Sequence, residues 1–418
     1  MDDIKNRIAN LINKDHKTFL VYSLGCRTNT AEVYQIAGWL ETSGFTATDT
    51  NPGIIIINTC AITKKGLSES VRSVKTFQKK YPDSKVIAVG CGVNKNIERF
   101  KNADLTFDNN QKEKIIKNKS FVHSRDVGSL SKSARLVLRI QSGCNHYCSY
   151  CIVPYLRSKI YSHSPIEIVE KINRGEKQGY REVILTGTNL GLYGKNEDYS
   201  LTDLLEAILT KTTIPRISLG SINYEAFNSK LISILVNEWK NGTKGRLTRY
   251  LHIPLQSASN KILKRMNRPY SAEKFSSLIS KLTGKNPLIN IGTDVIVGFP
   301  GETDEDFEKT VKFIEKYPFS RLHVFRYSSR EKTAAGKMQK EWGIVDSKTM
   351  AERSKILRQI SKKKEIAFRK KNSGKILTVL FIKKKDENYW WGITDNYQTI
   401  AYKSEKNLRG QIEKIKIS

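Results

Sequence analysis

Apolar residues recur along this chain in two rhythms that take turns. Short runs that are wholly apolar or apolar at every second position are followed by longer stretches where apolar residues return every three or four positions. The first rhythm predicts strands and the second amphipathic helices. Over residues 16–120 the strands fall at 18–24, 54–57, 85–90 and 105–107, with helices predicted at 29–42, 68–80 and 111–117. In the first helix Val33, Ile36, Ala37 and Leu40 share a face, and Asn29 or Thr30 is the expected N-cap. Four successive isoleucines, Ile54 to Ile57, predict a strand buried on both faces. Residues 1–15 read as a short amphipathic helix or a frayed start. Strand–helix alternation of this kind predicts a small parallel α/β sheet.

Residues 119–133 are polar, with Ser129, Ser131 and Ser133, and read as a linker. The alternation then resumes on a longer scale over 130–370. Leu136, Leu138 and Ile140 face one way and Arg135 and Arg139 the other. Further strands are expected at 183–185, 216–219, 250–253, 289–297 and 321–325, with helices starting near Pro165, Ser200, Asn228, Ser259, Ser271 and Thr303. About six strand–helix units fit a partial β/α barrel open at one side. A basic helix follows from Asp346 to about Lys371, carrying Lys362-Lys363-Lys364 and Arg369-Lys370-Lys371. Its charge run is either a solvated face or a contact for a nucleic-acid backbone. Residues 372–418 change character, with short strands at 376–381, 389–393, 398–402 and 411–417 that predict a small all-β barrel.

Composition narrows the partners. The chain has 418 residues, 72 Lys and Arg against 41 Asp and Glu, a net charge of +31 and a pI near 9.8. That balance suggests a polyanion such as RNA, or simply biased composition. No apolar run approaches the ~18 residues of a membrane span. The start of the sequence lacks the apolar core of an export signal, so a cytoplasmic chain with reduced thiols is expected.

Six cysteines carry the candidate chemistry, in two sets of three. Cys144, Cys148 and Cys151 form a C-x3-C-x2-C loop after a strand. One loop can wrap three sulfurs around one centre, and three thiolates are one short of a closed zinc site. A four-iron cluster held this way keeps one iron open. A zinc knuckle or a disulfide with a spare thiol is the alternative, although His146, inside the loop, is awkwardly placed to complete a zinc site. Cys26, Cys60 and Cys91 each fall just past a predicted strand in the first domain. In a parallel sheet those ends share one edge, so cysteines far apart in sequence can converge.

The loop, followed by Ile152-Val153-Pro154, resembles the cluster loop of radical S-adenosylmethionine (SAM) enzymes, and more narrowly that of the methylthiotransferases. Gly25-Cys26-Arg27-Thr28-Asn29, Asn58-Thr59-Cys60-Ala61-Ile62-Thr63 and Val89-Gly90-Cys91 resemble the amino-terminal domain of that family. The 374–418 segment resembles its TRAM domain. The resemblance implies two 4Fe–4S clusters. Cys144, Cys148 and Cys151 would hold the one that binds SAM, and Cys26, Cys60 and Cys91 an auxiliary one that carries the sulfur. It also implies SAM contacts in the strand-end motifs that contain Gly187, Thr188 and Asn189, then Ser221, Gln256 and Gly298. Two motifs depart from the family pattern: Asn223 stands where a Glu is usual, and Ala258 where a Gly is usual.

The implied reaction places a methylthio group on carbon 2 of a modified adenosine beside the anticodon, using SAM twice. That carbon–hydrogen bond has no acidic proton, so the hard step belongs to a cofactor. Asn189-Leu190-Gly191 resembles the branch acting on N6-threonylcarbamoyladenosine, whereas the isopentenyladenosine branch usually carries a Gly-Gln-Asn-type segment. The implied partners are the tRNA anticodon stem-loop and an electron donor such as flavodoxin or ferredoxin. Lys383, Lys384, Trp390 and Trp391, with Tyr389 and Tyr397, are candidates to meet phosphates and stack bases, or else to fill a small core. Three other readings stay open: isopentenyladenosine as substrate, an aspartate of a ribosomal protein as substrate, and a zinc-bearing RNA-binding protein.

Overall fold

A computed structural model of the chain describes residues 2–11, 16–116, 134–242, 245–286 and 288–417. The expected 119–133 linker, and the boundaries expected at 120 and 130, lie outside the described residues.

The first sheet contains β1 (Thr18–Ser23), β2 (Thr46–Ala47), β3 (Ile54–Thr59), β4 (Lys85–Gly90) and β5 (Leu105–Phe107), all parallel, in the order β2-β1-β3-β4-β5. The isoleucine run explains why the sheet has two covered faces. Ile54 and Ile56 pack with Phe19, Val33 and Leu40 on one side. Ile55 and Ile57 pack with Leu67, Val74 and Phe100 on the other. The helix after β1 spans Arg27–Thr42 and takes Cys26, not Asn29 or Thr30, as its N-cap. Asn29 is buried because its side chain has another task, described below.

The central region contains β6 (Arg135–Ser142), β7 (Tyr161–Ser162), β8 (Glu182–Gly187), β9 (Arg216–Leu219), β10 (Tyr250–His252), β11 (Asn290–Val297) and β12 (Phe319–Arg326). Strands β6, β8 and β9 are parallel neighbours, as are β10, β11 and β12. Parallel bridges Ile217↔Leu247 and Ser221↔His252 join the two sets into one arc of six, with β7 antiparallel on β6. Ser200, Asn228, Ser259, Ser271 and Thr303 cap the helices that sequence placed there. Leu136, Leu138 and Ile140 point outward into the helical layer with Ile168, Ile172 and Leu204. Arg135 and Arg139 point inward, where Arg139 is fully buried.

The helix Ser347–Asn372, capped by Asp346, packs along β12. One member of its basic run has a structural use, since Lys364 Nζ donates to the carbonyls of Glu315 and Tyr317 at 3.0 and 2.8 Å. The last region is a four-stranded antiparallel sheet, β13 (Ile376–Lys384), β14 (Tyr389–Thr394), β15 (Thr399–Lys403) and β16 (Ile412–Lys416), in the order β15-β14-β13-β16. Its turn at 394–398 plugs the amino-terminal end of the barrel. Arg216 donates to Ile393 O at 2.9 Å, Arg249 pairs with Asp395 at 2.7 Å, and Tyr397 donates to Glu182 at 2.8 Å.

Candidate functional site

The strand-end cysteines do converge. Cys26 follows β1, Cys60 follows β3 and Cys91 follows β4, and all three line one cavity of about 320 Å³. Gly25 makes the approach possible. Its φ is +94°, and a Cβ there would lie 2.6 Å from Cys60 Sγ, so only glycine fits. Asn29 ties the strand ends together, donating to Leu24 O at 2.8 Å and Thr59 O at 3.0 Å. Cys91 receives hydrogen bonds from Arg157 Nε at 3.3 Å and Asn109 Nδ2 at 3.5 Å. Burial alone would raise the Cys91 pKa, but the charges of Arg157 and Lys112 outweigh it and hold it below the ordinary thiol value. At Cys60 burial outweighs the Ile62 N–H and the charge of Arg157 and pushes the thiol up to about 11.

The C-x3-C-x2-C loop leaves β6 through Gly143, whose φ is +84° and whose Cβ would clash with Lys159 O. Neighbouring segments then pin it. Ser149 N donates to Met266 O at 3.0 Å, Asn267 Nδ2 to the carbonyls of His146 and Tyr147 at 3.2 Å, and Ala335 N to Ser149 O at 2.7 Å. Arg268 donates to Cys148 Sγ at 3.3 Å, and Asn189 Nδ2 to Cys144 Sγ at 3.8 Å. Burial, with the charges of the other two thiolates, pushes Cys151 up to about 12. His146 turns away from the sulfurs toward Glu225, 3.9 Å off.

Arg157 links the two sets. Its carbonyl accepts from Cys144 N–H at 3.2 Å while its side chain reaches Cys91, Asn29 and Glu32. Glu32 is fully buried among Arg157, Lys112 and Arg139. Burial would raise its pKa, yet those three cations hold it well below the usual carboxylate range. Sequence alone offers no signal for Arg157, Arg268 or Glu32, because their partners lie tens of residues away.

A larger cavity of about 540 Å³ opens outward from the first. The two share Cys26, Thr28, Cys60, Ile62, Gly187, Ser221 and Asp294. Its outer wall carries Arg27, Tyr250, His252 and His323, with Ile62 and Phe325 at the rim. Asp294 accepts from His252 Nε2 at 2.8 Å and lies 3.3 Å from His323 Nδ1. Burial opposes its ionisation, but the hydrogen bonds from these histidines bring its pKa down to about 2.

Other expected site residues divide. Gly187, Thr188, Asn189 and Ser221 line the inner cavity. Thr188 Oγ1 also accepts from Gly143 N at 3.2 Å, and Asn189 N donates to Gln141 Oε1 at 2.9 Å, so this segment braces the cysteine loop. Gln256 sits outside both cavities at φ +68°, with a buried Oε1 that has no hydrogen-bond partner among the described residues. Gly298 lines neither cavity, and its place in a turn has a packing reason. Its φ is +70°, a Cβ there would strike Met350, and its N–H donates to Glu302 at 2.7 Å. Trp390 is a correction: it is buried against Val379, Phe381 and Leu408 and offers no face to a base. Tyr397 is half-buried in the barrel plug, where it donates to Glu182. Trp391 is half-buried beside Lys385, whose Nζ is 5.2 Å from its ring, while Lys383 and Lys384 lie next to it on the paired strand.

The donor set suits iron–sulfur cubes better than single ions. Sulfurs around one tetrahedral zinc lie roughly 3.8 Å apart for bonds of about 2.3 Å. Among the described residues, the three that bring ligand atoms within 4.8 Å of one another are His252, Asp294 and His323, and neither cysteine triplet does so. A six-stranded parallel arc with a three-thiol loop at its strand ends is the core of a radical SAM enzyme. Residues 138–314 match the Radical SAM superfamily, and residues 18–109 match Uncharacterized protein family UPF0004. Among solved structures, the radical SAM methyltransferase TsrM from Kitasatospora setae has this fold. Its TM-score is 0.58 at 13% identity, covering 77% of this chain and 75% of that one.

Relatives narrow this further. The chain is 30% identical to threonylcarbamoyladenosine tRNA methylthiotransferase MtaB of Bacillus subtilis (strain 168), over 96% of this chain and 93% of that protein. It is 33% identical to MtaB of Thermotoga maritima, over 87% and 86%. It is also 30% identical to a tRNA-2-methylthio-N(6)-dimethylallyladenosine synthase of Staphylococcus epidermidis, over 96% and 82%. The chain belongs to the radical SAM methylthiotransferase family, enzymes that use SAM and 4Fe–4S clusters. Among the described residues, no helix is long and apolar enough to cross a membrane.

Proposed function

We propose that the chain is a tRNA methylthiotransferase that places a methylthio group on carbon 2 of N6-threonylcarbamoyladenosine next to the anticodon. Cys144, Cys148 and Cys151 hold the cluster that binds SAM, and Cys26, Cys60 and Cys91 the auxiliary cluster. The observation that carries this reading is continuity. The strand-end triplet lines the inner cavity together with Thr188 and Asn189, which brace the other loop, and that cavity opens into the larger one. When bound, the loop cluster and SAM supply hydrogen abstraction from a carbon that no side-chain base can deprotonate. The residues of the chain do the rest. Arg268 and Arg157 offset thiolate charge, Asn189 orients Cys144, and Ile62 and Phe325 flank the entrance for a flipped base.

By this reading residues 16–120 carry the auxiliary cluster, 130–370 the radical SAM core, and 372–418 a TRAM-like sheet in which Lys383, Lys384 and Trp391 meet RNA. The dimethylallyladenosine relative favours isopentenyladenosine as a second reading. The polar outer wall of Arg27, His252 and His323 suits the acidic threonylcarbamoyl group better. Mass analysis of tRNA nucleosides from a strain lacking the gene tests this. Loss of 2-methylthio-N6-threonylcarbamoyladenosine is expected. An unchanged level overturns the reading, and loss of the isopentenyl product instead moves it to the second substrate.

A further inference from the structure

The outer cavity contains an exposed cation that no described residue neutralises. Arg27 lines it and makes neither a hydrogen bond nor an ion pair with any described residue. Its guanidinium rests over the ring of Tyr397, 5.8 Å from the centroid, and that ring is stacked on Tyr250 at 4.7 Å. Other charges on this wall are matched. Lys65 pairs with Glu69 at 3.7 Å, and Asp294 lies between His252 and His323. Arg27 also opens the helix Arg27–Thr42, whose N-cap Cys26 supplies no side-chain acceptor. The positive end of that helix therefore adds to the guanidinium charge.

We propose that Arg27 binds the carboxylate of the threonylcarbamoyl group on the substrate base and so selects an acidic N6 substituent over an apolar one. The inference rests on the substrate reading above. A guanidinium fork matches a carboxylate in shape as well as charge. An isopentenyl group has no polar atom, so seating it here would cover the exposed guanidinium without pairing it. The aromatic floor of Tyr397 and Tyr250 holds the cation in place without neutralising it.

The test uses full-length protein loaded with clusters without oxygen, and four anticodon stem-loops that differ at one base. That base is threonylcarbamoyladenosine, its methyl ester, isopentenyladenosine or adenosine. Wild-type protein should bind the carboxylate loop about tenfold or more tighter than the ester loop, as a charge-assisted pair gives. R27Q should bind both loops equally and bind the ester loop as wild type does. R27K should keep part of the preference. Iron content is measured alongside, and R27M replaces R27Q if R27Q loses iron. Equal weakening of all four loops in R27Q would mean a phosphate contact and overturn the proposal. A carboxylate preference that survives in R27Q overturns the proposal alone. A wild-type preference for the isopentenyl loop overturns the substrate reading and the proposal with it.

Discussion

Cys144, Cys148 and Cys151 belong to a single loop, while Cys26, Cys60 and Cys91 come from three separate strand ends. The loop has little rigidity of its own and borrows it from Met266, Asn267, Arg268 and Ala335, which hydrogen-bond across it. The strand ends are fixed by sheet register, with Ser23 opposite Asn58 and Thr59 opposite Gly90. Their electrostatics differ as well. Arg157 and Lys112 hold the Cys91 thiol below its ordinary pKa, whereas burial drives Cys151 up. Local spacing builds one thiol set and tertiary structure the other, so damage to each should show in different measurements.

The largest contrast should come from the ligands themselves. Cys148→Ala is expected to abolish SAM cleavage, because two thiolates hold a cluster poorly. Cys60→Ala should leave cleavage intact and stop sulfur insertion. Chromatography of 5′-deoxyadenosine and of the methylthiolated nucleoside reads both, and methylthiolated product from Cys60→Ala would end the auxiliary role.

Removing the shared anchor should cost the fold next. Glu32→Gln leaves Lys112 and Arg157 buried without their carboxylate while Arg139 keeps Glu113, a loss of about 3–5 kcal/mol by chemical denaturation. The same group predicts acid sensitivity. Arg157, Lys112 and Arg139 pull the fully buried Glu32 carboxyl below its normal pKa, and Arg139 and Lys112 do the same for the half-buried Glu113. Their stabilisation is complete above the unfolded value of about 4.3 and is lost as pH falls toward the folded values. Wild-type protein should therefore lose stability as pH falls below about 4.3 faster than Glu32→Gln does. Equal slopes would remove Glu32 from the account.

Glycine substitutions sharpen the comparison at smaller cost. Gly25→Ala forces a left-handed φ and a clash with Cys60, and should cost about 1–3 kcal/mol and empty only the strand-end site. Gly143→Ala should empty only the loop site. Iron content with either triplet intact measures this. The smallest effect belongs to Lys383→Ala and Lys384→Ala, each lowering the salt dependence of tRNA binding by about one unit of slope.

Much of this was readable beforehand, for physical reasons. Ile54 to Ile57 could only be a strand covered on both sides, and Leu136, Leu138 and Ile140 could only face a helical layer. The cysteines were legible because their spacing and their places at strand ends are properties of sequence and elements. What stayed hidden depends on distant partners. Asn29 looked like a helix cap until Leu24 and Thr59 drew it inward. Trp390 and Tyr397 looked available to bases, but a small sheet needs a core and the barrel needs a plug. Gly298 carried a motif whose glycine answers to Met350. Arg27 stood beside a cysteine, and only the cavity revealed that its charge is unmatched.

Iron and acid-labile sulfide, measured on protein purified without oxygen and with each cysteine triplet replaced in turn, test the two-centre account most directly. The account predicts about eight irons per chain in wild type and about four in either triple variant. Four irons in wild type, unchanged when Cys26, Cys60 and Cys91 are replaced, would contradict it.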